Sequence, residues 1–282
     1  MGNLLQRAAS PEIVNAAWRR SKKDRAPWAA GIDRDEMERN IGLHLVRLSQ
    51  ELAAGDYAPD PVRYMPVHKG DGSRRIISAI TLRDKVAQRA VLKVVEPLAE
   101  KTFHPDSYAY RPGRTIGMAA ARAREYILCG MGWVVDADIQ SFFDHISHRR
   151  LLRKLTALIP DRELVALIRR WVDAGAVRRG FLSAVRGIPQ GAVISPLLCN
   201  IYLTEWDHAM AARNLPFVRF ADDFLVFART ESDARKARDF TEKALSALDL
   251  RLHPKKTRVT SCGPHVRFLG HKLPKPVAPA AA

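Results

Sequence analysis

Residues 219–227 read RFADDFLVF, two adjacent aspartates set between apolar runs. A buried carboxylate without a partner is costly, so a chain that places two inside a strand-like run must compensate them. Alternation puts Val218 and Phe220 on one side, while Phe224 and Phe227 need not share it. Ala221-Asp222-Asp223 then forms a tight turn, a conformation that Asp tolerates. Alone, such a turn is a solvated hairpin tip without chemistry.

A second acidic segment changes that reading. In VVDADIQSFFDHI, residues 134–146, an apolar run ends in Asp136 and Asp138, which a period of two places on one face. Two strands that each end in acids can converge on Mg²⁺, which takes a few protein oxygens and completes its shell with phosphates and water. Two such ions about 4 Å apart stabilise the attacking and leaving oxygens of an in-line phosphoryl displacement. The chain carries 46 Lys and Arg against 30 Asp and Glu, a net charge of +16, which suits a polyanionic partner such as nucleic acid. General surface stickiness is the plainer account of that charge. A polymerase and a nuclease both fit, and acids and charge do not choose between them.

The 282 residues, 47% hydrophobic and 27% charged, suffice for one large domain or two coupled subdomains and exclude a disordered chain. Cys129, Cys199 and Cys262 form no CxxC pair, so neither a zinc knuckle nor a disulfide framework is indicated and a reducing cytoplasm fits. MGNLLQRAASPEIVNAAW has no signal-peptide core, and no segment approaches the roughly 18 apolar residues of a membrane span. A cytoplasmic, unprocessed chain with no membrane partner is expected.

Local patterns place the acids among helices and strands. A helix is expected from Ser10-Pro11, a basic loop at RRSKKDRAPW, and a helix over 33–52 that stops near Gly55. RYMPVHKGDGSRRIISAI reads as a hairpin turning at Asp71-Gly72, followed by a helix that Thr81 and Asp84 start as a capping box. GWVVDADI is a strand, residues 149–175 one or two helices broken at Pro160, and RGFLSAVRGIPQG a loop. SPLLCNIYLTEWDHAM and ESDARKARDFTEKALSALDL are helices on either side of the opening hairpin. HVRFLGHKL is a last strand, and PKPVAPAAA a disordered tail.

The order of these blocks resembles that of reverse transcriptases, above all those encoded by bacterial group II introns and their CRISPR-associated and other stand-alone relatives. The resemblance runs from about Gly31 to Leu273. PVHKGDGSRRIISAITLRDKVAQRAV, SYAYRPGRT, VVDADIQSFFDHI, GIPQGAVISPLLCNIYL, RFADDFLVF, HPKKT and RFLG carry it in the family's order. It implies an α+β right-hand polymerase fold, an antiparallel palm sheet backed by helices plus fingers, with a thumb absent or minimal. Residues 1–60 would extend the fingers, 61–130 form them and 131–273 form the palm, before the tail at 274–282.

The same resemblance implies roles, residue by residue. Asp138 is similar to the palm aspartate that bridges two Mg²⁺ ions, for which Mn²⁺ can substitute; Asp222 is its partner, and Asp223 contributes less directly. The carbonyl of Ile139 is a further ligand. Phe220 stands where the family usually has Tyr, keeping an apolar ring under the primer end without the hydroxyl. Asp136 is an outer acid or a solvated strand residue. Phe143 matches the ring that leaves no room for a 2′-hydroxyl, so dNTPs are preferred. Of Phe142 and Phe143, on a strand end, one can pack while the other gates.

Lys69 and Arg75 match the triphosphate ligands, with an exposed charged turn as the plainer alternative. Gln190 and Gly191 would floor the nascent base pair, glycine letting the backbone approach closely. Lys256 resembles the lysine near the leaving pyrophosphate and could act as general acid, or be a surface lysine. Arg111 and Arg114 bind template phosphate or shape the fingers.

The implied activity is RNA-directed DNA synthesis from a DNA or RNA primer on an RNA template, in CRISPR spacer acquisition or phage defence. A protein partner would supply a thumb-like clamp or a CRISPR adaptation integrase. Alternatives are template-independent or protein-primed synthesis, and an RNA-binding subunit with a vestigial site. Intact Asp138, Asp222, Phe143 and Gln190 argue against the last.

Overall fold

Ser10 and Pro11 begin a helix as expected: the Ser10 hydroxyl accepts from the Ile13 N–H, and Pro11 occupies the first turn, where its missing N–H costs nothing. The computed structural model describes residues 3–68, 74–175 and 186–276, with the side chains of 68 and 74–76 outside that description. In chain order the helices are α1 Leu4–Ala9, α2 Pro11–Ser21, α3 Arg34–Arg39, α4 Ile41–Ala54, α5 Leu82–Glu100, α6 Ile116–Leu128, α7 Phe142–His145, α8 His148–Leu158, α9 Arg162–Ala174, α10 Ser195–Ala212 and α11 Glu231–Ser246. The strands are β1 Arg63–His68, β2 Arg74–Ala79, β3 Trp133–Asp138, β4 Phe217–Phe220, β5 Asp223–Ala228, β6 Arg258–Ser261, β7 Arg267–Phe268 and β8 His271–Lys272.

Two compact units divide the chain: Met1–Lys101 with Ser147–Ile201, and Thr102–Ile146 with Tyr202–Ala282. Each unit is held by packing within itself. Ala119, Ala123 and Ile127 of α6 bury their side chains with Val134, Val218, Leu225 and Phe227 of the second unit's sheet. In the first unit, Asp161 at the start of α9 accepts from the Leu5 N–H of α1, and Arg170 donates to the carbonyls of Gly55 and Tyr57.

The second unit holds a four-stranded antiparallel sheet in the order β4-β5-β3-β6. Strand alternation puts Val134, Leu225 and Phe227 on the face that α6 covers. Phe217 and Phe224 lie on the other face against Trp206 of α10, their ring centroids 5.1 and 4.6 Å from it. Phe224 and Phe227 thus occupy opposite faces.

Several elements depart from expectation. α2 continues through Arg19 and Arg20, part of the supposed basic loop, and α1, α6 and β6 had no sequence signal strong enough to place them. The helix over 33–52 is two helices that part at Asn40, whose φ of −125° is not helical. The Thr81 hydroxyl caps α5, but the Asp84 carboxylate takes the Tyr57 hydroxyl and the Asp60 N–H rather than completing a capping box. HVRFLGHKL is a small hairpin, β7–β8, reversed at Leu269 and Gly270, whose φ values of +52° and +84° are those of a tight hairpin turn. The Gly70-Asp71-Gly72 turn and the tail from 277 lie outside the described residues.

Candidate active site

The sheet brings the acids of two strands to one edge. Asp138, last in β3, stands directly opposite Asp223, first in β5, and Phe220 of β4 also pairs with Asp223. The turn between β4 and β5 is therefore two residues, Ala221 and Asp222, with Asp223 already in the strand. Ala221 has φ +62°. Positive φ at the first central residue and not the second is the pattern of a type II′ turn, normally given to glycine. The Asp222 carbonyl accepts from the Ile139 N–H at 3.2 Å, which ties the turn to the residue after Asp138. Alternation places Asp136, Asp138 and Asp223 on one face.

A segment before β6 returns over these acids. The His253 N–H donates to the Asp138 carbonyl at 2.8 Å, and the following turn brings Lys256 Nζ to 2.7 Å from Asp138 Oδ2. That bond raises the Lys256 pKa. Two residues on, Arg258 pairs in register with Asp136 and donates Nε and Nη2 to its Oδ2 at 2.9 and 2.8 Å. Asp136 is thus a half-buried, ion-paired acid, not a solvated one; burial raises its pKa, and Arg258 opposes the rise. Asp223 is pushed up to about 7, by burial first and then by the charges of Asp136, Asp138 and Asp222, with Lys256 acting in the other direction.

Such crowding marks a place where a further cation is favourable. The donors are hard carboxylate oxygens, the kind Mg²⁺ prefers. Among the described residues no three His, Cys, Asp or Glu side chains converge as a ready-made metal cage. Two facing carboxylates with a neighbouring carbonyl suit an ion that draws its remaining ligands from substrate phosphate and water, so the residues fit the group.

The other expected site residues fall as follows. Phe142 and Phe143 lie on the helical turn α7, not on a strand end; Phe142 is buried and Phe143 half-buried, their rings edge to face at 5.7 Å. Phe220 packs against the sheet's apolar core. Arg111 is buried and gives Nη1 to the carbonyls of His104 and Ser107, so of its two readings the shaping one has the contacts. Arg114 donates to the Pro105 carbonyl and covers the Tyr108 ring.

In the first unit, the Gln190 carbonyl accepts from the Ser78 N–H at 2.7 Å. Gly191 has φ +108°, and a Cβ there would lie 2.9 Å from the Ser78 carbonyl oxygen. Its close approach is to strand β2. Arg75 sits in β2 opposite Val67, its side chain outside the description, and Lys69 lies wholly outside the described residues.

Three supporting residues escaped the sequence. Arg219 makes a fully buried ion pair with Asp207 of α10, Arg258 neutralises Asp136, and His148 Nε2 donates to the Gly187 carbonyl at 2.6 Å, just before the Gln190 loop. The available signal was Arg219 itself, a cation in a strand whose neighbours are all apolar.

Comparison with known proteins gives this geometry a family. Residues 67–273 match the family model described as reverse transcriptase (RNA-dependent DNA polymerase). Protein YkfC of Escherichia coli (strain K12) is 30% identical over 96% of the chain and 82% of its own length. The group II intron-encoded protein LtrA of Lactococcus lactis subsp. cremoris is 30% identical over 74% of the chain, which spans only 35% of LtrA. The Retron Mx162 reverse transcriptase of Myxococcus xanthus is 32% identical over 72% of the chain and 45% of that protein. Among solved structures, a partial Cas6-RT-Cas1–Cas2 complex covers 87% of the chain and 42% of its own with a TM-score of 0.51 at 22% identity. Telomerase from Candida albicans covers 85% of the chain and 48% of its own with a TM-score of 0.56 at 14% identity. These two show the fold.

Proposed function

The chain belongs to the reverse transcriptase (RNA-dependent DNA polymerase) family, and from that premise we propose that it extends a primer 3′-hydroxyl with dNTPs on an RNA template, using Asp138, Asp222 and Asp223. The observation that carries this is the register of Asp138 against Asp223 beside a two-residue turn holding Asp222. Two Mg²⁺ ions held by these carboxylates and the Ile139 carbonyl would supply charge stabilisation at the attacking and leaving oxygens.

The chain's own groups do the remainder. Lys256, held at Asp138 in the free protein, carries a proton that can pass to the departing pyrophosphate. Phe143, half-exposed beside the packed Phe142, excludes a 2′-hydroxyl. Phe220 supports the primer end. Lys69 and Arg75 bind the triphosphate, Gln190 and Gly191 contact the nascent pair, and Arg114 contacts template phosphate. The biological setting we infer is CRISPR spacer acquisition or a related phage defence, with an adaptation integrase as partner. A fold shared with the reverse transcriptase of a complex titled with Cas6, Cas1 and Cas2 supports this.

Primer extension on primed RNA, with labelled dNTPs or rNTPs and with Asp222→Asn as control, tests the activity. Template-directed DNA synthesis lost in the variant is the expected result. No synthesis by the intact chain, alone or with a purified adaptation integrase, would refute the reading and favour an RNA-binding role.

A further inference from the structure

Ala221 is an alanine at φ +62°, a backbone conformation that a side chain disfavours, and its methyl group offers nothing to hold it there. The neighbouring strand residue does. Arg219 is fully buried and directs Nε and Nη2 at the two oxygens of Asp207, at 2.7 and 2.6 Å, while Nη1 donates to the Ala221 carbonyl at 3.0 Å. Its main chain is also engaged: its N–H donates to the Asp106 carbonyl and its carbonyl accepts from Tyr108, each at 2.9 Å.

Asp222 therefore sits between two held peptide groups. The carbonyl before it is gripped by Arg219, and its own carbonyl by the Ile139 N–H. Fixing both peptide planes fixes the direction in which the Asp222 side chain leaves the turn. Stability alone does not account for the ion pair, because two charges withdrawn from water are often matched or bettered by apolar residues of similar volume. The third bond, to the turn, distinguishes this pair from a purely structural one.

We propose that Arg219, oriented by Asp207, is a positioning residue that sets the aim of the Asp222 carboxylate, and through it the site's capacity for divalent ions. This deepens the functional reading above and rests on it for the catalytic consequence alone. An aim altered by about 1 Å is enough to cost on the order of a hundredfold in rate.

The test is the double variant Arg219→Met with Asp207→Leu, which replaces the pair by apolar volume and removes the grip on Ala221. The expected result is a melting temperature at or above that of the original chain, with Mn²⁺ affinity, read by electron paramagnetic resonance without substrate, reduced at least fivefold. In primer extension, kcat falls tenfold to a hundredfold while KM for dNTP stays within twofold. A folded double variant with unchanged Mn²⁺ affinity and kcat overturns the proposal. Should the double variant not fold, Arg219→Lys carries the same test: one ammonium still neutralises Asp207 but cannot fork to the Ala221 carbonyl, and the same two readings decide. Absence of DNA synthesis by the original chain would refute the functional reading, yet leave Mn²⁺ affinity to decide the positioning of Asp222.

Discussion

Replacing Asp223 with Asn should change how the metal-free protein's stability depends on pH, and the size of the change follows from the crowding of four acids. In the fold the Asp223 carboxyl is raised from 3.8 to about 7. The folded state therefore binds a proton more tightly than the unfolded chain does. Stability from this group is full below about pH 4 and is lost as pH rises through the folded value near 7. Each unit of pKa difference is worth about 1.4 kcal/mol, so the rise from pH 5.5 to 8 costs the original chain about 2 kcal/mol through Asp223.

Asn cannot ionise, so Asp223→Asn lacks this loss. Urea unfolding in the presence of a chelator, at pH 5.5 and pH 8, isolates it, because the difference between the two proteins cancels the other titrating groups to first order. The original chain should lose about 2 kcal/mol relative to the variant over that interval. Mg²⁺ at pH 8 should restore the original chain more than the variant, by mass action on the folded state. Parallel pH dependences of the two proteins in chelator would refute the reasoning, since they would mean that Asp223 ionises in the fold as easily as in water.

Further substitutions test neighbouring parts. Gly191→Ala should destabilise the chain by about 2–4 kcal/mol in urea unfolding, the sum of left-handed strain and a Cβ pressed on the Ser78 carbonyl. Arg258→Ala leaves Asp136 half-buried without its cation; its pKa should rise further in carboxyl NMR titration. Lys256→Met removes the ammonium from Asp138 and should tighten Mn²⁺ binding several-fold by electron paramagnetic resonance while slowing nucleotide incorporation. Phe143→Ala should raise rNTP incorporation relative to dNTP by on the order of tenfold or more, read in single-nucleotide extension.

How much of this the sequence disclosed depends on the range of the cause. Caps at Ser10 and Thr81, the stop at Gly55 and the break at Pro160 are local, and each lies where the residues put it. The alternation of Asp136 and Asp138 placed both on one face correctly, because a period of two belongs to the strand itself. Cross-strand partnership is not local. β6 is four residues with half-exposed side chains, and only its register against β3 makes it a strand and brings Arg258 to Asp136. The Asp207–Arg219 pair joins a helix to a strand, and the sequence leaves Arg111 open between phosphate binding and a shaping role because its carbonyl partners are set by the fold. Asp84 shows the converse: its spacing from Thr81 suited a capping box, but the buried Tyr57 hydroxyl took the carboxylate.

The pairing of charges across β3 also explains why this edge suits divalent ions. Moving outward along the strand, Asp136 meets Arg258 and Asp138 meets Lys256, so each β3 acid on that face has a cation from the returning segment. The hairpin adds Asp222 and Asp223, giving four carboxylates near two cations and leaving about two negative charges in a partly desolvated space. Arg258 approaches Asp136 through two guanidinium nitrogens, a charge-assisted double contact. Lys256 approaches Asp138 through one ammonium on an exposed, flexible stem. Of the two cations, Lys256 is the one a divalent ion can displace. Displacement predicts that a divalent ion at Asp138 would free Lys256 while Asp136 keeps its partner Arg258. In a chain with Lys256→Arg the bidentate grip on Asp138 should weaken Mn²⁺ binding, the opposite of the change expected for Lys256→Met. Equal Mn²⁺ affinities for the two variants would refute displacement.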